Sequence, residues 1–593
     1  MIAVNPLAPL PARPAIQRPV QPGPGTITVG LEGYDLSRPY PIPGQENEPA
    51  AKLLVENGAY TLPLWTKASY GGELRIPASY SPAMFDPFGF SHAGRPNWAG
   101  YGIQADKGRC SLQGRSEKGM ATCDGKRAEL YSHVLVPDVF LKWEVPDPLT
   151  YIFHIRKGVL WPAIPPMFRP DREVTADDVV WFFETQKERG VVGRDFYKLT
   201  NAWQPLDRYT VKVTLKSPLP DFLRMFSDRS QAIIPKECAE KADCANKNII
   251  VSPGPFIITE VVPRQRILFT KNPEFHIPGV PWLDRMLWIQ STDAAANKAA
   301  FLTGQFDSYS AGGFSEAQAL RKQKPDAQFQ ALVATSTGNY LKFRHEGPLA
   351  DLRVRQALMR AVEFPTAWQA AAEGYMFMAT FILYDMLGLT LPMGHAQAGI
   401  NFQYDPQGAK KLLAEAGYPN GGFEVIIQTS ATSGITYELD LALQQFWKKN
   451  LNVDTRIIAL DAATHEASLA GKTWKGMWQG QIALGGGTTA VDGTMLWFIT
   501  DSVQNFAGMS DPVMDEIYNK QRVEIDPVKR RDLLWQFMGR NLEQLWVFPL
   551  GHFLSYGFYQ PWEMNVAGSA NQYAFGSGST WTHMFDLSKA AKR

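Results

Sequence analysis

Residues 149–188, "LTYIFHIRKGVLWPAIPPMFRPDREVTADDVVWFFETQKE", contain a strand and a capped helix in one run. Tyr151, Phe153 and Ile155 alternate along one side of an extended segment. Thr175 is placed as a helix cap with Asp178 three residues on, an arrangement that satisfies free N–H groups of a first turn. Ala176, Val179, Val180 and Phe183 then form the inward stripe. The same alternation of strand and helix continues. "YTVKVTLKSP" (209–218) reads as a strand, and "GPFIITEVVPRQRILFTKNPEF" (254–275) as a hairpin. "DAAANKAAFLTGQFD" (293–307) is a helix closed by Gly304, and "PLADLRVRQALMRAVEFP" (348–365) a helix capped by Asp351. In "YDPQGAKKLLAEAGYPNGGFEV" (404–425), Asp405 caps, Pro406 opens and Gly417 ends a helix that leads into a strand. "ELDLALQQFWKKNLNVDTRII" (438–458) runs from helix to strand. Strands alternating with helices predict α/β layers.

The length of 593 residues allows several domains, and 45% hydrophobic with 20% charged residues fits a large folded core. A net charge of +1 argues against a nucleic-acid footprint. No run reaches the roughly 18 apolar residues of a membrane-spanning helix. The first 25 residues are Pro-rich and read as an extended arm rather than a signal peptide. The four cysteines form two local pairs, Cys110/Cys123 and Cys238/Cys244. Two short-loop disulfides in an oxidising compartment are the expectation, against four unpaired thiols. The 17 tryptophans fill a core or line a ligand cleft.

Motifs for bond-making or bond-breaking are missing. The chain has no GxSxG, HExxH or P-loop, and its nine histidines lack metal spacing. "GGGTTAVDG" (485–493) is Gly-rich without a following Lys-Ser/Thr pair, so it reads as a loop. Asp177 and Asp178 are explained by helix-start chemistry. Neither enzyme activity nor a cofactor or metal is expected.

Taken in order, these segments resemble the family 5 extracellular solute-binding proteins of ABC importers, which bind peptides, nickel complexes, opines or oligosaccharides. "GGELRIPASYSPAMFDP" (71–87) is similar to the family's opening strand. The 149–188 stretch resembles its strand, Lys/Arg-Gly turn and Thr-Ala-Asp-Asp-Val helix. "SPGPF" (252–256) is similar to its Gly-Pro-aromatic signature, and "NKAAFLTGQFD", "PLADLRVRQALMRAVE" and 404–425 complete the set. The resemblance implies a two-lobed α/β periplasmic binding protein of the peptide-binding type, its lobes joined by two hinge strands. By that analogy residues 1–59 are the arm and 60–288 lobe I, with an inserted subdomain at about 90–200. Residues 289–547 are lobe II, and 548–593 return to lobe I. "MLWIQS" (286–291) and "FPLGHFLSYGF" (548–558) are the candidate hinge strands. The implied role is capture of a small ligand, an oligopeptide or peptide-like compound, or alternatively an oligosaccharide, opine or other sugar conjugate. Delivery is to an inner-membrane permease, from a periplasmic monomer. A secreted hydrolase is the competing class, and a sensor-only binder is a third.

Two departures from the pattern bear on the ligand. "LWPAIPPMFRPDREVT" (160–175) is longer and richer in Pro than the usual turn. Peptide binders of the family often carry a Trp followed shortly by an Asp that pairs with the ligand's ammonium; here Trp478 is followed by Gln479, Gly480 and Gln481, and the next carboxylate is Asp492. A buried ammonium without a charge partner is costly, so a free-amino-terminus peptide is disfavoured unless Asp492 folds back into the site, and Gln479 and Gln481 suit a hydroxyl-rich ligand such as a sugar or sugar conjugate. Trp474, Trp478 and Trp497 supply aromatic faces beside the glutamines. Arg344 stands where the family commonly has Asn and is a candidate partner for a ligand carboxylate. Tyr80, Ser81 and Phe85 follow the first strand, where the family's first lobe meets ligand.

Overall fold

The computed structural model describes residues 71–78, 103–106, 134–162, 171–189, 197–220, 222–226, 233–237, 251–262, 265–276, 281, 283–333, 337–378, 381–382, 387, 398–430, 434–483, 495–502, 504–561, 563–564 and 586–587. The arm, Tyr80, Ser81, Phe85, Asp492 and the 485–493 loop lie outside these residues. So do Cys110, Cys123, Cys238 and Cys244, and the two expected disulfides, Cys110–Cys123 and Cys238–Cys244, find no support among the described residues.

Strands β1 (Glu73–Ala78), β2 (Ile103–Asp106), β3 (Val134–Pro137), β4 (Phe140–Asp147) and β5 (Thr150–Ile155) come first, followed by helix α1 (Ala176–Arg189). Next are β6 (Thr200–Asp207), β7 (Thr210–Leu215), β8 (Phe256–Val262), β9 (Arg266–Lys271) and β10 (Arg285–Gln290). Strands β4-β5-β7-β6 form an antiparallel sheet in that order and β1-β10-β9-β8 a second, in which β1 and β10 run parallel, while β2 pairs only with β3 among the described strands. Tyr151, Phe153 and Ile155 are buried as the alternation predicts. Helix α1 covers that face with Phe182 and Phe183, while Val180 is only half-buried. Phe183 stacks on Trp203 at 4.5 Å, and Thr175 and Asp178 close the cap, Thr175 N donating to the carboxylate at 2.9 Å. Arg172 adds a 2.7 Å bond to Asp178, so that carboxylate is structural. One apolar core, from Leu74 to Met286, serves both sheets.

The second core runs from Phe301 to Phe558. Its elements are α2 (Ala294–Leu302), β11 (Ser308–Ala311), α3 (Phe314–Gln323), β12 (Gln328–Val333), β13 (Thr337–Phe343), α4 (Leu352–Arg360), α5 (Phe364–Ala372), β14 (Met376–Phe377) and α6 (Pro406–Glu415). They continue with β15 (Glu424–Thr429), α7 (Gly434–Leu451), β16 (Asp454–Ala459), α8 (Ala462–Ala470), β17 (Met477–Ala483), α9 (Pro512–Gln521), α10 (Pro527–Gln544) and β18 (Val547–Tyr559). The predicted caps Asp351 and Asp405 are present, accepting from Arg353 N and Gly408 N, and Asp293 caps α2 in the same way, accepting from Ala295 N. The sheet order is β11-β18-β13-β17-β15-β16, with β12 and β14 also pairing β18.

The candidate hinge strands fall differently. Strand β10 stays in the first sheet beside β1, whereas β18 pairs with β13 and β11 and buries Phe548, Leu554 and Phe558 in the second core. The two bodies meet at Asp307, whose Oδ2 accepts from Arg75 N at 2.7 Å. Asp307 N donates back to Arg75 O at 2.8 Å, and Gln560 N donates to Asp307 O at 2.9 Å.

Candidate functional site

Strands β15, β16 and β17 are parallel, linked by α7 and α8. From β15 the chain steps outward to β16, then returns to place β17 on the other side of β15. Strand order therefore reverses between β15 and β17. In open α/β sheets the crevice at the carboxyl ends of strands flanking such a reversal is where ligands bind. Here it is bounded by Thr429 ending β15, Gln481 and Ala483 ending β17, and Thr337 and Asn339 opening the antiparallel β13. Helix α7 starts at the same end, so its free N–H groups point there.

Each side chain's face follows from the pleat. Gln428 and Trp478 pair in register and face α8. Gln428 Nε2 donates to Ser468 Oγ at 2.9 Å. Trp478, 1% exposed, donates its indole N–H to His465 O at 3.1 Å and stacks on the His465 ring at 4.2 Å. Lys342, opposite Trp478 on β13, holds its ammonium 3.8 Å from the Trp478 ring centroid and 4.8 Å from that of Trp497. Cation–π attraction of this kind is worth about 2 kcal/mol where water is excluded. Burial keeps the His465 imidazole below its ordinary range, and the Lys342 charge adds to the effect.

The next residues on each strand face α7. The Thr429 hydroxyl donates to Gln479 Oε1 at 3.3 Å, and the Thr436 hydroxyl to Asn339 Oδ1 at 2.9 Å. Gln479 Nε2 and Asn339 Nδ2 are buried with no hydrogen-bond partner among the described residues. Asp440, one helical turn after Thr436, is fully buried beside Thr429.

The structure thus separates the residues singled out from sequence. Gln481 lies at the crevice, its backbone opposite Asn339. Gln479 is one step below it, turned into the lobe and bonded to Thr429. Trp478 is deeper still, on the other face, and packs with Trp474 in a small aromatic cluster. Trp497 is half-buried against that cluster. Arg344 follows the far end of β13, five residues from Asn339, which is roughly 17 Å along a strand. There it pairs with Glu346 at 3.1 Å and donates to Lys472 O, so it sits at the opposite edge of the sheet from Gln481. Sequence reasoning missed Asn339, Lys342, Thr429, Thr436 and Asp440. Their signal was polar residues at positions an α/β sheet covered on both faces reserves for apolar ones.

Among the described residues no group of three or more His, Cys, Asp or Glu side chains could hold a metal ion. No described helix is long and apolar enough to cross a membrane.

The model of the bacterial extracellular solute-binding proteins, family 5, matches residues 134–505. Haem-binding protein A of Haemophilus influenzae is 29% identical over 306 residues, 48% of this chain and 54% of that protein. The chain therefore spans about half the length of that relative. The glutathione-binding protein GsiB of Escherichia coli K12 is 24% identical over 391 residues, 60% of this chain and 73% of its own length. The periplasmic binding protein DppA of Helicobacter pylori, solved with the peptide STSA, superposes with a TM-score of 0.70 at 18% identity. That superposition covers 88% of this chain and 99% of DppA, and the two-lobed fold is shared.

Proposed function

The chain belongs to the family 5 bacterial extracellular solute-binding proteins, and from that premise we propose that it is the solute-binding component of an ABC importer. It captures a small ligand between its lobes and delivers it to a membrane permease, without chemistry on the ligand. It works after export to the periplasm, the compartment named for DppA. On this reading the first core belongs to lobe I and the second to lobe II, and the chain passes between them at about 291–293.

The ligand is an oligopeptide or peptide-like compound whose end at the β15/β17 crevice is uncharged. The observation that carries this reading is the pairing of Gln481 with Asn339 at the strand ends. Neither strand-end position carries the carboxylate that a free-ammonium binder needs. Asp440, the buried carboxyl of this region, lies beneath Gln479 and has no exposure. An opine, oligosaccharide or other sugar conjugate meets the same requirement through amide and hydroxyl hydrogen bonds, and is the second reading.

The test is a thermal-shift series on ligand-stripped protein with trialanine, N-acetyl-trialanine, glutathione, octopine, maltotriose and haemin. A ligand that binds only the folded state adds about 2.7 kcal/mol at a hundredfold excess over Kd. Shifts with the acetylated peptide or octopine, and none with trialanine, are expected. A shift with trialanine alone refutes the neutral-end reading.

A further inference from the structure

Asp440 is set back from the crevice, yet it is among the most enclosed polar groups of the second core. It lies on the face of α7 turned to the sheet, with 0% exposure. Neither carboxyl oxygen has a well-aligned hydrogen bond among the described residues. The Thr429 hydroxyl lies beside it, and the same hydroxyl reaches Gln479 Oε1. Gln479 is two residues before Gln481 on β17, and Thr429 is the last residue of β15. Asp440, Thr429 and Gln479 therefore run as a chain of polar groups from the helix to both strands that bound the crevice.

We infer that Asp440 is a positioning residue, an uncharged acid that through Thr429 and Gln479 holds the crevice ends of β15 and β17 in place. Among the described residues its surroundings offer no charge to pair with. On α7 itself, Tyr437 is half-buried and Glu438, Lys448 and Lys449 are exposed. On α6, Lys410, Lys411 and Glu415 are exposed, and on the strands Glu424, Asp454 and Arg456 are exposed as well. Helix α5 carries no titratable residue within 364–372. Strand β13 contributes Tyr340 and Lys342, which alternate onto the α8 face, where His465 also lies. Without an ion partner, a carboxylate at this depth is far costlier than the neutral acid. Burial accordingly pushes the Asp440 carboxyl well above the ordinary range, with the Thr429 hydroxyl pulling weakly the other way.

The sign of the pH effect follows. Unfolded Asp440 loses its proton near pH 4 while the folded residue keeps it. Stability is greatest below that value and declines as pH rises, until the folded residue also ionises. Ionisation then places a charge beside Thr429 and loosens the strand ends. That these ends receive ligand rests on the function proposed above; the positioning itself does not.

The experiment uses full-length protein without ligand. Thermal and urea unfolding of wild type and Asp440→Asn are followed from pH 4.5 to 9, with hydrogen exchange of the 477–483 segment measured in parallel and corrected for intrinsic rates. The amide keeps the shape and cannot ionise. The expected result is a folding-constant ratio, D440N over wild type, that rises by up to tenfold per pH unit. Faster exchange of 477–483 in wild type than in D440N should appear at the alkaline end. Thr429→Val should remove the difference in exchange while leaving the pH-dependent ratio. A ratio independent of pH, a D440N protein that fails to fold, or a pH-dependent ratio with unchanged exchange at 477–483 would each overturn the inference. A failure of every ligand in the thermal-shift series would leave these outcomes untouched.

Discussion

Gly480 tolerates no added atom, for a reason visible in the packing. A Cβ built there lies 2.2 Å from Trp478 Cζ3 and 2.3 Å from Cη2. The backbone at Gly480 is ordinary strand, so the obstacle is the ring alone. The ring cannot swing away freely, because His465 stacks on it and the Lys342 ammonium lies 3.8 Å from its centroid. Gly480→Ala therefore forces the indole off its partners. Overpacking of this kind costs about 1–3 kcal/mol, partly offset by the roughly 0.5–1 kcal/mol that Ala gains over Gly in a strand. A net loss of about 1 kcal/mol lowers a urea midpoint by roughly 0.5 M at a slope near 2 kcal/mol/M. Trp478→Ala alone, removing a fully buried indole, costs about 3–5 kcal/mol. In that background Gly480→Ala meets no ring and should be neutral or stabilising. The double-mutant cycle should thus give a coupling of about 2 kcal/mol or more. If Gly480→Ala costs the same with and without Trp478, the ring is not what keeps Cβ out, and the steric reasoning fails.

Three further outcomes follow from single groups. Burial, with Arg355 adding its charge, lowers the His345 pKa to about 4. The unfolded imidazole takes up its proton near 6.5, so stability is lost as pH falls between 6.5 and 4, at most about 3 kcal/mol, and His345→Gln should flatten that part of the urea-midpoint profile. Asp511 caps α9 and bonds Arg540 and the Trp546 indole, both at 2.9 Å. Burial raises its pKa, but Arg540, Trp546 and Val513 N outweigh it and hold the carboxyl below the ordinary range. Its contribution is therefore present above about pH 4 and lost on acidification, and Asp511→Ala should cost about 2–4 kcal/mol at pH 7 by chemical denaturation. Gly421 has φ +64°, and a Cβ there would lie 2.1 Å from Leu451 O. Gly421→Ala should lower the thermal midpoint by several degrees, through about 2–4 kcal/mol of strain and clash.

Local chemistry made the elements legible. Asp351, Asp405 and Thr175 each stand where a helix needs a cap, and the 151/153/155 alternation buried the face it predicted. Long-range register was not legible. Arg344 and Gln481 both flank the β13–β17 ladder, and only the antiparallel pairing of Phe343 with Met477 puts them at opposite ends. Trp478 and Gln479 are neighbours in sequence but face different helices, which becomes clear only once β17 is known to be covered on both sides. The "FPLGHFLSYGF" stretch illustrates the same limit. A long apolar run reads equally well as a connection or as a central strand. It is central because β11, β12, β13 and β14 all pair with it.

The division into two cores explains why the crevice and the joint can be separate devices. Among the described residues each core is closed on itself and no apolar cluster spans both. What ties them is small and polar. Arg75 N donates to Asp307 Oδ2 and Arg75 O accepts from Asp307 N, and Asp307 is held on its own side by Gln560, whose backbone N–H donates to Asp307 O and whose amide donates to Phe301 O at 2.6 Å and Phe306 O at 3.0 Å. Such bonds fix a point of rotation without fixing an angle, because they involve a few residues at strand ends. The crevice, by contrast, is built on strands locked by Trp478, His465 and Lys342 on one side and by Thr429, Gln479 and Asp440 on the other. On the proposed reading, closure of the lobes turns about this joint, while the strand ends that read the ligand move as one packed unit.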